Sequence, residues 1–329
     1  MSSKGVQKFN FRAILLKTQL YRIFWTSIYY SFLEGYMNPF LRKLSQPQIR
    51  ERILREKLSE PLHMILFSLF AGIFGSFETK VYFDLVVRPH NAFCLLEAAR
   101  NAHRRGYKSF TAIEFGVANG AGLINMAKIA EQVTRATGIG IELVGFDNAV
   151  GMPPCLDYRD HPELYQPHDF PMQNYEGLLA QLPPTAKLIL GNVSETTAEY
   201  LKTVRPECPI GYVVLDVDYY SSSVAALKVF DGASELYLPE TLMYLDDIST
   251  EFHNPWQGEY LAVNEFNEEH AMRKICPYNM LREKRLFKGA TWIGQVYFLH
   301  VLDHILKSSH VNRKSVILGN PYLDLPSAG

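Results

Sequence analysis

The sequence lacks the features that define several common classes of protein. Its 33 Lys and Arg residues nearly balance 34 Asp and Glu residues, so no overall field favours nucleic acid or another strongly charged partner. The four cysteines form no CxxC pair, which argues against a zinc site and is typical of a cytoplasmic protein with reduced thiols. No internal repeat or low-complexity tract is present.

Long apolar runs are also scarce. The run from Leu62 to Phe77 has 16 residues, fewer than the roughly 20 that a membrane span needs, and is interpreted as a core or interface helix. No acid precedes Glu34, and Lys17 and Arg22 interrupt the apolar segment that a signal peptide would require. We therefore expect a cytoplasmic protein. A basic N-terminus resting on an anionic membrane surface, and homo-oligomerisation, stay open as alternatives.

From Phe110 onward, short apolar runs alternate with helical patterns. Strands are predicted at 110–115, 141–146, 187–190, 211–215 and 241–245. Helices are predicted near 121–136, 174–181, 195–203, 222–236 and 258–272. Such alternation predicts a doubly wound, Rossmann-like α/β fold with a mostly parallel sheet. Segments 279–287 and 291–301 are predicted as two further strands, an antiparallel C-terminal pair.

The part before this alternation has a different character. Residues 1–85 are aromatic-rich and predicted helical, including a charged helix at Gln48–Glu60 that Pro61 ends. A further helix is predicted at Asn91–Arg104, with Pro89 in its first turn. The sequence thus predicts a helical N-terminal extension, 1–85, with a membrane-surface, dimer or lid role. The α/β domain would span 86–329.

The most informative segment, residues 110–122, ends an apolar run on Glu114 and continues with Gly116, Gly120 and Gly122. A glycine-rich turn between a buried strand and a helix is typical of a ligand site, because glycine permits tight turns and close backbone approach. Polar residues also follow each of the next predicted strands. They are Asp147, Asn192, Asp216 with Asp218, and Asp246 with Asp247.

Three cofactor classes use such a layout: a nucleoside triphosphate, a dinucleotide and S-adenosylmethionine. No Gly-Lys-Ser/Thr closes the turn, which excludes a P-loop. The glycine spacing does not fit the GxGxxG of dinucleotide sites. An acid directly before the turn, Glu114, suits a cationic ligand better than a pyrophosphate, and a sulfonium cofactor is cationic.

The carboxylates at the ends of predicted strands four and five form a second constellation. Three or four neighbouring carboxylates repel one another and carry raised pKa values when nothing neutralises them. A hard divalent cation resolves that conflict, and oxygen ligands suit magnesium or calcium. The sequence therefore predicts a divalent-cation site among these carboxylates.

The segment Glu-Phe-Gly-Val-Ala-Asn-Gly at 114–120 resembles the first motif of class I S-adenosylmethionine-dependent methyltransferases. The resemblance implies that Asp147 binds the ribose hydroxyls, that Asn192 lies near the adenine, and that Asp216 also contacts the cofactor. It further implies cofactor contacts from the turn itself, at Glu114, Gly116, Ala118, Asn119 and Gly120.

Residues 215–223, Leu-Asp-Val-Asp-Tyr-Tyr-Ser-Ser-Ser, are similar to strand four of the macrocin O-methyltransferase family of sugar-modifying enzymes. The resemblance covers roughly residues 85–300. It implies a magnesium-dependent O-methyltransferase acting on a hydroxyl of a sugar or related polyhydroxylated small molecule or glycan. It also implies that Asp216, Asp246 and Asp247 are the metal ligands. Asp218 or His253 would take the hydroxyl proton. The acidic pattern also resembles that of the catechol-type O-methyltransferases. Those enzymes have a lysine base where this chain has Tyr219.

Two rival functions remain. The Asp216-Val-Asp218 segment also matches the Asp-x-Asp motif of metal-dependent glycosyltransferases, and a membrane-associated partner protein without catalytic activity could keep the same fold. Residues Asp157–Tyr175 follow predicted strand two and are expected to form a lid. His161 and His168 within it are interpreted as loop residues.

Overall fold

We describe a computed structural model of the chain, in which residues 61–249 and 252–308, and Glu51, are described. The strands are β1 (Ser109–Phe115), β2 (Gly140–Asp147), β3 (Ala186–Leu190), β4 (Ile210–Leu215), β5 (Tyr237–Leu245), β6 (Arg273–Pro277) and β7 (Val296–Val301). The helices are α1 (Leu62–Phe74), α2 (Phe77–Tyr82), α3 (Pro89–Arg104), α4 (Ala121–Thr137), α5 (Tyr175–Leu179), α6 (Val193–Leu201), α7 (Tyr220–Leu227), α8 (Gly258–Glu269), α9 (Leu281–Lys284) and α10 (Ile305–Ser308).

The seven strands form one sheet in the order β3-β2-β1-β4-β5-β7-β6. The first five strands along the chain pair in parallel, and β7 lies antiparallel between β5 and β6. The strand order reverses between β1 and β4, which makes the carboxyl end of that pair the expected ligand crevice. This order, with its antiparallel C-terminal pair, is the Rossmann-like methyltransferase fold, and it confirms the predicted fold class.

Both faces of the sheet are covered because successive strand residues point to opposite sides. Ala112 and Tyr212 pack with α3 and α4 in one buried cluster. Ile113 and Val213, their neighbours in sequence, pack with α7 and α8 in a second cluster on the other face. The near-continuous apolar runs that predicted these strands therefore reflect burial on both sides.

Several predicted boundaries need correction. Segment 279–287 is not a strand: the sixth strand, β6, precedes it, and 279–287 contains the short helix α9. Of segment 291–301, only Val296–Val301 is extended, after a 3-10 turn. The helix predicted at 222–236 ends at Leu227, and 3-10 turns follow. Tertiary pairing decided these short segments, whose local apolar pattern does not distinguish strand from helix.

The described part of the N-terminal extension is helical and attached to the domain. Within it, α2 is held by Arg285, whose buried guanidinium donates to the carbonyls of Val81 and Tyr82 and to the Asp84 carboxylate. The charged helix predicted at Gln48–Glu60 lies outside the described residues, apart from Glu51. Among the helices of 61–249 and 252–308, none is long and apolar enough to cross a membrane.

Candidate functional site

A cavity of about 580 Å³ opens at the carboxyl ends of β1, β2 and β4. Of the predicted cofactor residues, five line this cavity: Gly116, Ala118, Asp147, Asn192 and Asp216. Asp218 and Asp246 lie in its wall as well, whereas Glu114, Asn119, Gly120, Asp247 and His253 do not. The topology thus gathers residues from positions 116 to 246 into one crevice, as the strand-end pattern predicted.

The glycines of the turn mainly allow packing within the protein. A Cβ on Gly116, whose φ is +85°, would lie 1.7 Å from the carbonyl oxygen of Asp216. A Cβ on Gly120 would lie 2.2 Å from Leu178, and one on Gly122 would lie 1.7 Å from the Glu114 carboxylate. Gly120 and Gly122 therefore make room for neighbouring side chains. That they also let a ligand approach the backbone stays a prediction.

Glu114 lies beneath the turn, with 2% of its surface exposed. Burial raises its pKa to about 8, the nearby Asp147 and Asp246 raise it too, and Arg88 lowers it. Its Oε2 is buried without a hydrogen-bond partner among the described residues. Because the Glu114 side chain packs on Gly122, it supports the turn from below.

Asp147 ties the end of β2 to the glycine turn. Its Oδ2 accepts hydrogen bonds from the backbone N–H groups of Val117 (2.9 Å) and Ala118 (2.7 Å), and its Oδ1 accepts one from Ala149 (2.6 Å). Ala118 and Ala149 both have positive φ, at 45° and 66°, so the carboxylate stabilises an unusual backbone. A carboxylate has about four acceptor positions, so about one remains for a ligand.

The two asparagines of the predicted cofactor set have structural bonds of their own. Asn192 begins α6, and its side chain accepts the N–H of Ser194 at 3.0 Å as an N-cap. Asn119 accepts the N–H of Gln173 at 2.8 Å and so holds the predicted lid segment against the turn. Of the two, Asn192 is the one that reaches the cavity.

The acidic cluster consists of Asp216, Asp218, Asp246, Asp247 and Glu259, at the ends of β4 and β5 and the start of α8. Burial, and then repulsion by Asp246 and Asp247, raises the pKa of Asp216 well above its usual value. Burial likewise raises the pKa of Glu259, which is fully buried and lies near Asp247. The cluster therefore favours bound protons or a bound cation over free carboxylates.

Asp218 and Asp247 share a hydrogen bond within this cluster. Burial and the Asp218 charge raise the pKa of Asp247 to about 8, and burial also raises the pKa of Asp218. Asp218 also has a φ of +58° in a tight turn in which Tyr219 N–H bonds to Val217 O. Such strain is typical of functional positions.

His253 reaches the cluster only through another residue. Its Nε2 lies 3.4 Å from the hydroxyl of Tyr165, and that hydroxyl bonds to Asp218. The ring of His253 also lies 4.7 Å from that of His161, which is fully buried and pairs through Nδ1 with Glu163 at 2.8 Å. Burial, and the neighbouring His161, lower the pKa of His253.

The expected lid contributes to the cavity at its far end. Asp169 and Phe170 line the cavity together with residues 151–153. Backbone hydrogen bonds between Met152 and both His168 and Asp169 hold the two stretches together. His161 is buried beside His253, so its interpretation as a plain loop residue is incomplete, whereas His168 is exposed.

The donor chemistry of the acidic cluster fits magnesium, because every candidate ligand is a carboxylate oxygen and Glu259 Oε1 is buried without a hydrogen-bond partner among the described residues. The positions of these side chains, however, are not those of a formed metal site. Within the part of the chain that the structure describes, no group of three or more His, Cys, Asp or Glu side chains is arranged around one metal position. Asp218 and Asp247 bond to each other instead.

Sequence reasoning missed four residues of the site: Arg88 beside Glu114, Tyr165 and His161 beside His253, and Glu259 beside Asp247. Glu259 accepts the backbone N–H of Asp247 at 3.1 Å. Glu259 lies in the first turn of α8, where acids are common, so no pattern in the sequence distinguished it. No local pattern marks Tyr165, which comes from a loop 53 residues before Asp218.

No protein-family model matches this chain, and no curated protein matches it. Among solved structures, the calicheamicin methyltransferase CalS11 matches with a TM-score of 0.45 and 18% identity, over 81% of this chain and 98% of that one. A second structure, titled apo CalS11, TDP-rhamnose 3'-O-methyltransferase, matches with a TM-score of 0.38 and 18% identity, over 82% and 98%.

An rRNA methylase from Streptococcus thermophilus matches with a TM-score of 0.33 and 12% identity, over 63% of this chain and 95% of that one. All three TM-scores are below 0.5, so these similarities carry no argument about activity. The fold assignment rests on the strand order.

Proposed function

We propose that this chain is an S-adenosylmethionine-dependent O-methyltransferase that acts on a hydroxyl of a sugar or related polyhydroxylated molecule. The observation that carries the proposal is the cavity itself. One end is formed by the glycine turn with Asp147 and Asn192, and the other by Asp216, Asp218 and Asp246. A cofactor and a hydroxyl-bearing acceptor would meet between these ends.

The charge of the crevice supports a cationic cofactor. A dinucleotide site uses the backbone N–H groups of its turn to bind pyrophosphate. Here Asp147 already occupies the N–H groups of Val117 and Ala118. Glu114 and Asp216 are buried acids nearby whose pKa values are raised, so a bound cation would favour their charged forms. A pyrophosphate would be repelled, whereas the sulfonium and ammonium groups of S-adenosylmethionine would be attracted.

Magnesium belongs to the proposal as the ion that the acidic cluster would hold through Asp216, Asp246 and Asp247. When bound, it would supply positive charge that lowers the pKa of an acceptor hydroxyl. The raised pKa values of Asp216 and Asp247 support a cation at this position, because either protons or a metal ion must offset the repulsion.

Asp218 is the better candidate for the general base than His253. It lines the cavity, and the Tyr165 hydroxyl bonds to its carboxylate. His253 lies outside the cavity lining, behind Tyr165. In the proposed reaction, Asp218 accepts the acceptor's hydroxyl proton, and the oxygen attacks the methyl group in line. Positioning of the two substrates supplies most of the rate enhancement.

Calorimetric titration with S-adenosylhomocysteine, UDP and NAD, each with and without magnesium, tests the cofactor assignment. We expect micromolar binding of S-adenosylhomocysteine and no binding of NAD. Transfer of radiolabelled methyl to a panel of nucleotide sugars then tests the acceptor class, with Asp218→Asn expected to abolish transfer. Surface Asp231→Asn serves as the matched control.

A glycosyltransferase that uses Asp216 and Asp218 as an Asp-x-Asp motif is the second candidate, since both side chains line the cavity. Binding of UDP that requires a divalent cation, with no binding of S-adenosylhomocysteine, would overturn the methyltransferase proposal in its favour. Absence of binding to every nucleotide would instead support a partner protein without catalytic activity.

A further inference from the structure

Helix α1 exposes an apolar face. Five large side chains on it are between 47% and 73% exposed: Leu66, Phe67, Phe70, Ile73 and Phe74. At 100° per residue they fall within an arc of about 120°. The opposite face packs on the protein through Ile65 and Ala71, which are buried.

The helix has no charged residue in its 13 positions. A helix that is apolar all round is normally buried on every side. Since one face of α1 is exposed among the described residues, the exposed side is the type of surface that another apolar phase or partner covers.

The charge of the adjoining sequence indicates what that phase is. Residues 1–60 contain 11 Lys and Arg but 4 Asp and Glu, a formal net charge of +7. The remaining 269 residues contain 22 Lys and Arg and 30 Asp and Glu, a formal net charge of −8. This asymmetry is invisible in the near-neutral total, and it places the positive charge directly before the exposed apolar helix.

We propose that the exposed face of α1 docks on a lipid bilayer, and that the net positive charge of the preceding sequence selects an anionic one. With 13 residues, the helix is about 20 Å long, too short to cross a hydrocarbon core of about 30 Å. It would lie in the plane of the interface, with Phe70 and Phe74 inserted among the acyl chains. Anionic head groups would attract the basic sequence, while the acidic remainder of the molecule would face the solvent.

The charge separation favours lipid over a second copy of the chain. Two copies meeting through α1 would bring two segments of net charge +7 together, which is unfavourable without counterions. An anionic bilayer offers both the opposite charge and the apolar interior. The inference is independent of the proposed enzymatic function, because none of these residues lines the cavity.

Co-sedimentation of the full-length protein with vesicles tests the proposal. One set of vesicles contains phosphatidylcholine alone, and the other contains phosphatidylcholine with phosphatidylserine. We expect binding to the anionic vesicles that is at least about tenfold tighter and weakens as salt is raised. The double variant Phe70→Asp with Phe74→Asp should lower that affinity at least about tenfold. Met280→Asp with Ile305→Asp, two other exposed apolar positions, should leave it unchanged.

Absence of binding to either set of vesicles, or equal losses in the two double variants, would overturn the proposal. If the Phe70 and Phe74 changes instead convert a dimer to a monomer in analytical ultracentrifugation, and vesicles are not bound, a second copy covers the helix. Thermal unfolding of each variant checks that the domain stays folded, as expected for exposed positions.

Discussion

The two ends of the cavity differ in how their carboxylates are stabilised. At the end formed by the glycine turn, the carboxylate of Asp147 accepts three backbone N–H groups and is fixed by its own chain. At the acidic cluster, Asp216, Asp247 and Glu259 repel one another, and burial raises their pKa values. The Asp147 carboxylate is stabilised by backbone bonds alone, whereas the acidic cluster needs protons or a cation.

This contrast predicts which substitutions in the cavity lower the stability of the fold and which raise it. Removing the Asp147 carboxylate from the glycine turn should destabilise the fold because both of its oxygens have backbone partners. Neutralising an acid in the cluster should stabilise it, because a desolvated charge is removed. Residues in sites that bind a ligand often sacrifice stability in this way.

The largest effect is expected from a single methyl group at the glycine turn. Gly116→Ala should cost more than about 4 kcal/mol of unfolding free energy, because its Cβ would lie 1.7 Å from the Asp216 carbonyl oxygen. Gly106→Ala is the matched control, since its φ is also +85° but no atom lies within 4 Å of its Cβ. It should cost about 1 kcal/mol. Urea denaturation measures both, and equal losses would show that backbone strain alone matters.

Asp147→Ala should come next, with a loss of about 3 kcal/mol, because three bonds to backbone N–H groups disappear. It should also weaken binding of S-adenosylhomocysteine by at least about 100-fold by calorimetry. Asn192→Ala, which removes one helix cap, should cost about 1 kcal/mol. If Asp147→Ala unfolds at the same urea concentration as the parent protein, the turn does not depend on this carboxylate.

The acidic cluster should respond with the opposite sign. Burial raises the pKa of Asp247 to about 8, so the folded state holds a proton that the unfolded state releases above about pH 4, and stability falls as pH rises. Asp247→Asn should therefore raise the unfolding free energy by about 2 kcal/mol near pH 8 and by much less near pH 5. Asp231→Asn, at an exposed acid, is the control.

Magnesium sharpens the same comparison. If the cluster holds the ion, adding magnesium should raise the unfolding midpoint of the parent protein at about pH 8, because binding to the folded state stabilises it. The rise should be smaller in Asp247→Asn. A midpoint that magnesium leaves unchanged in both proteins would count against the metal.

The smallest effect on stability is expected from a substitution at Glu163, an exposed acid that is paired with His161. Its bond to His161 lowers its pKa, so its contribution is present above about pH 4.5 and is lost as pH falls through the folded pKa. Glu163→Gln should cost about 0.5 kcal/mol near pH 7, since solvent screens the pair. A gain in stability, as predicted for Asp247→Asn, would contradict the distinction between paired and clustered acids.

The fold was predicted well because strands that are buried on both faces appear in the sequence as near-continuous apolar runs. The apolar runs of β1, β2 and β4 end within one residue of the positions predicted for them. The strand predicted at 279–287 was wrong because the short apolar stretch there packs as a loop and a single helical turn. Periodicity carries no information at that length.

The candidate site was predicted in part for a similar reason. Residues at strand ends, such as Asp147 and Asp246, inherit their place from the sheet. The positions of Tyr165 and His161 depend on the conformation of a loop, which no local sequence pattern predicts. The split role of the glycines was also beyond reach, because only the packed structure shows that Gly122 faces Glu114.

The buried Arg285 has a consequence for how the chain is made. Its partners at Val81 and Tyr82 lie 204 and 203 residues earlier in the chain. During synthesis, α2 therefore leaves the ribosome long before the side chain that fastens it exists. Contacts of such long range form late and slow the search for the native state. The interval between the synthesis of α2 and that of Arg285 is therefore the one in which α2 and the neighbouring apolar face of α1 are most exposed to aggregation or to chaperones.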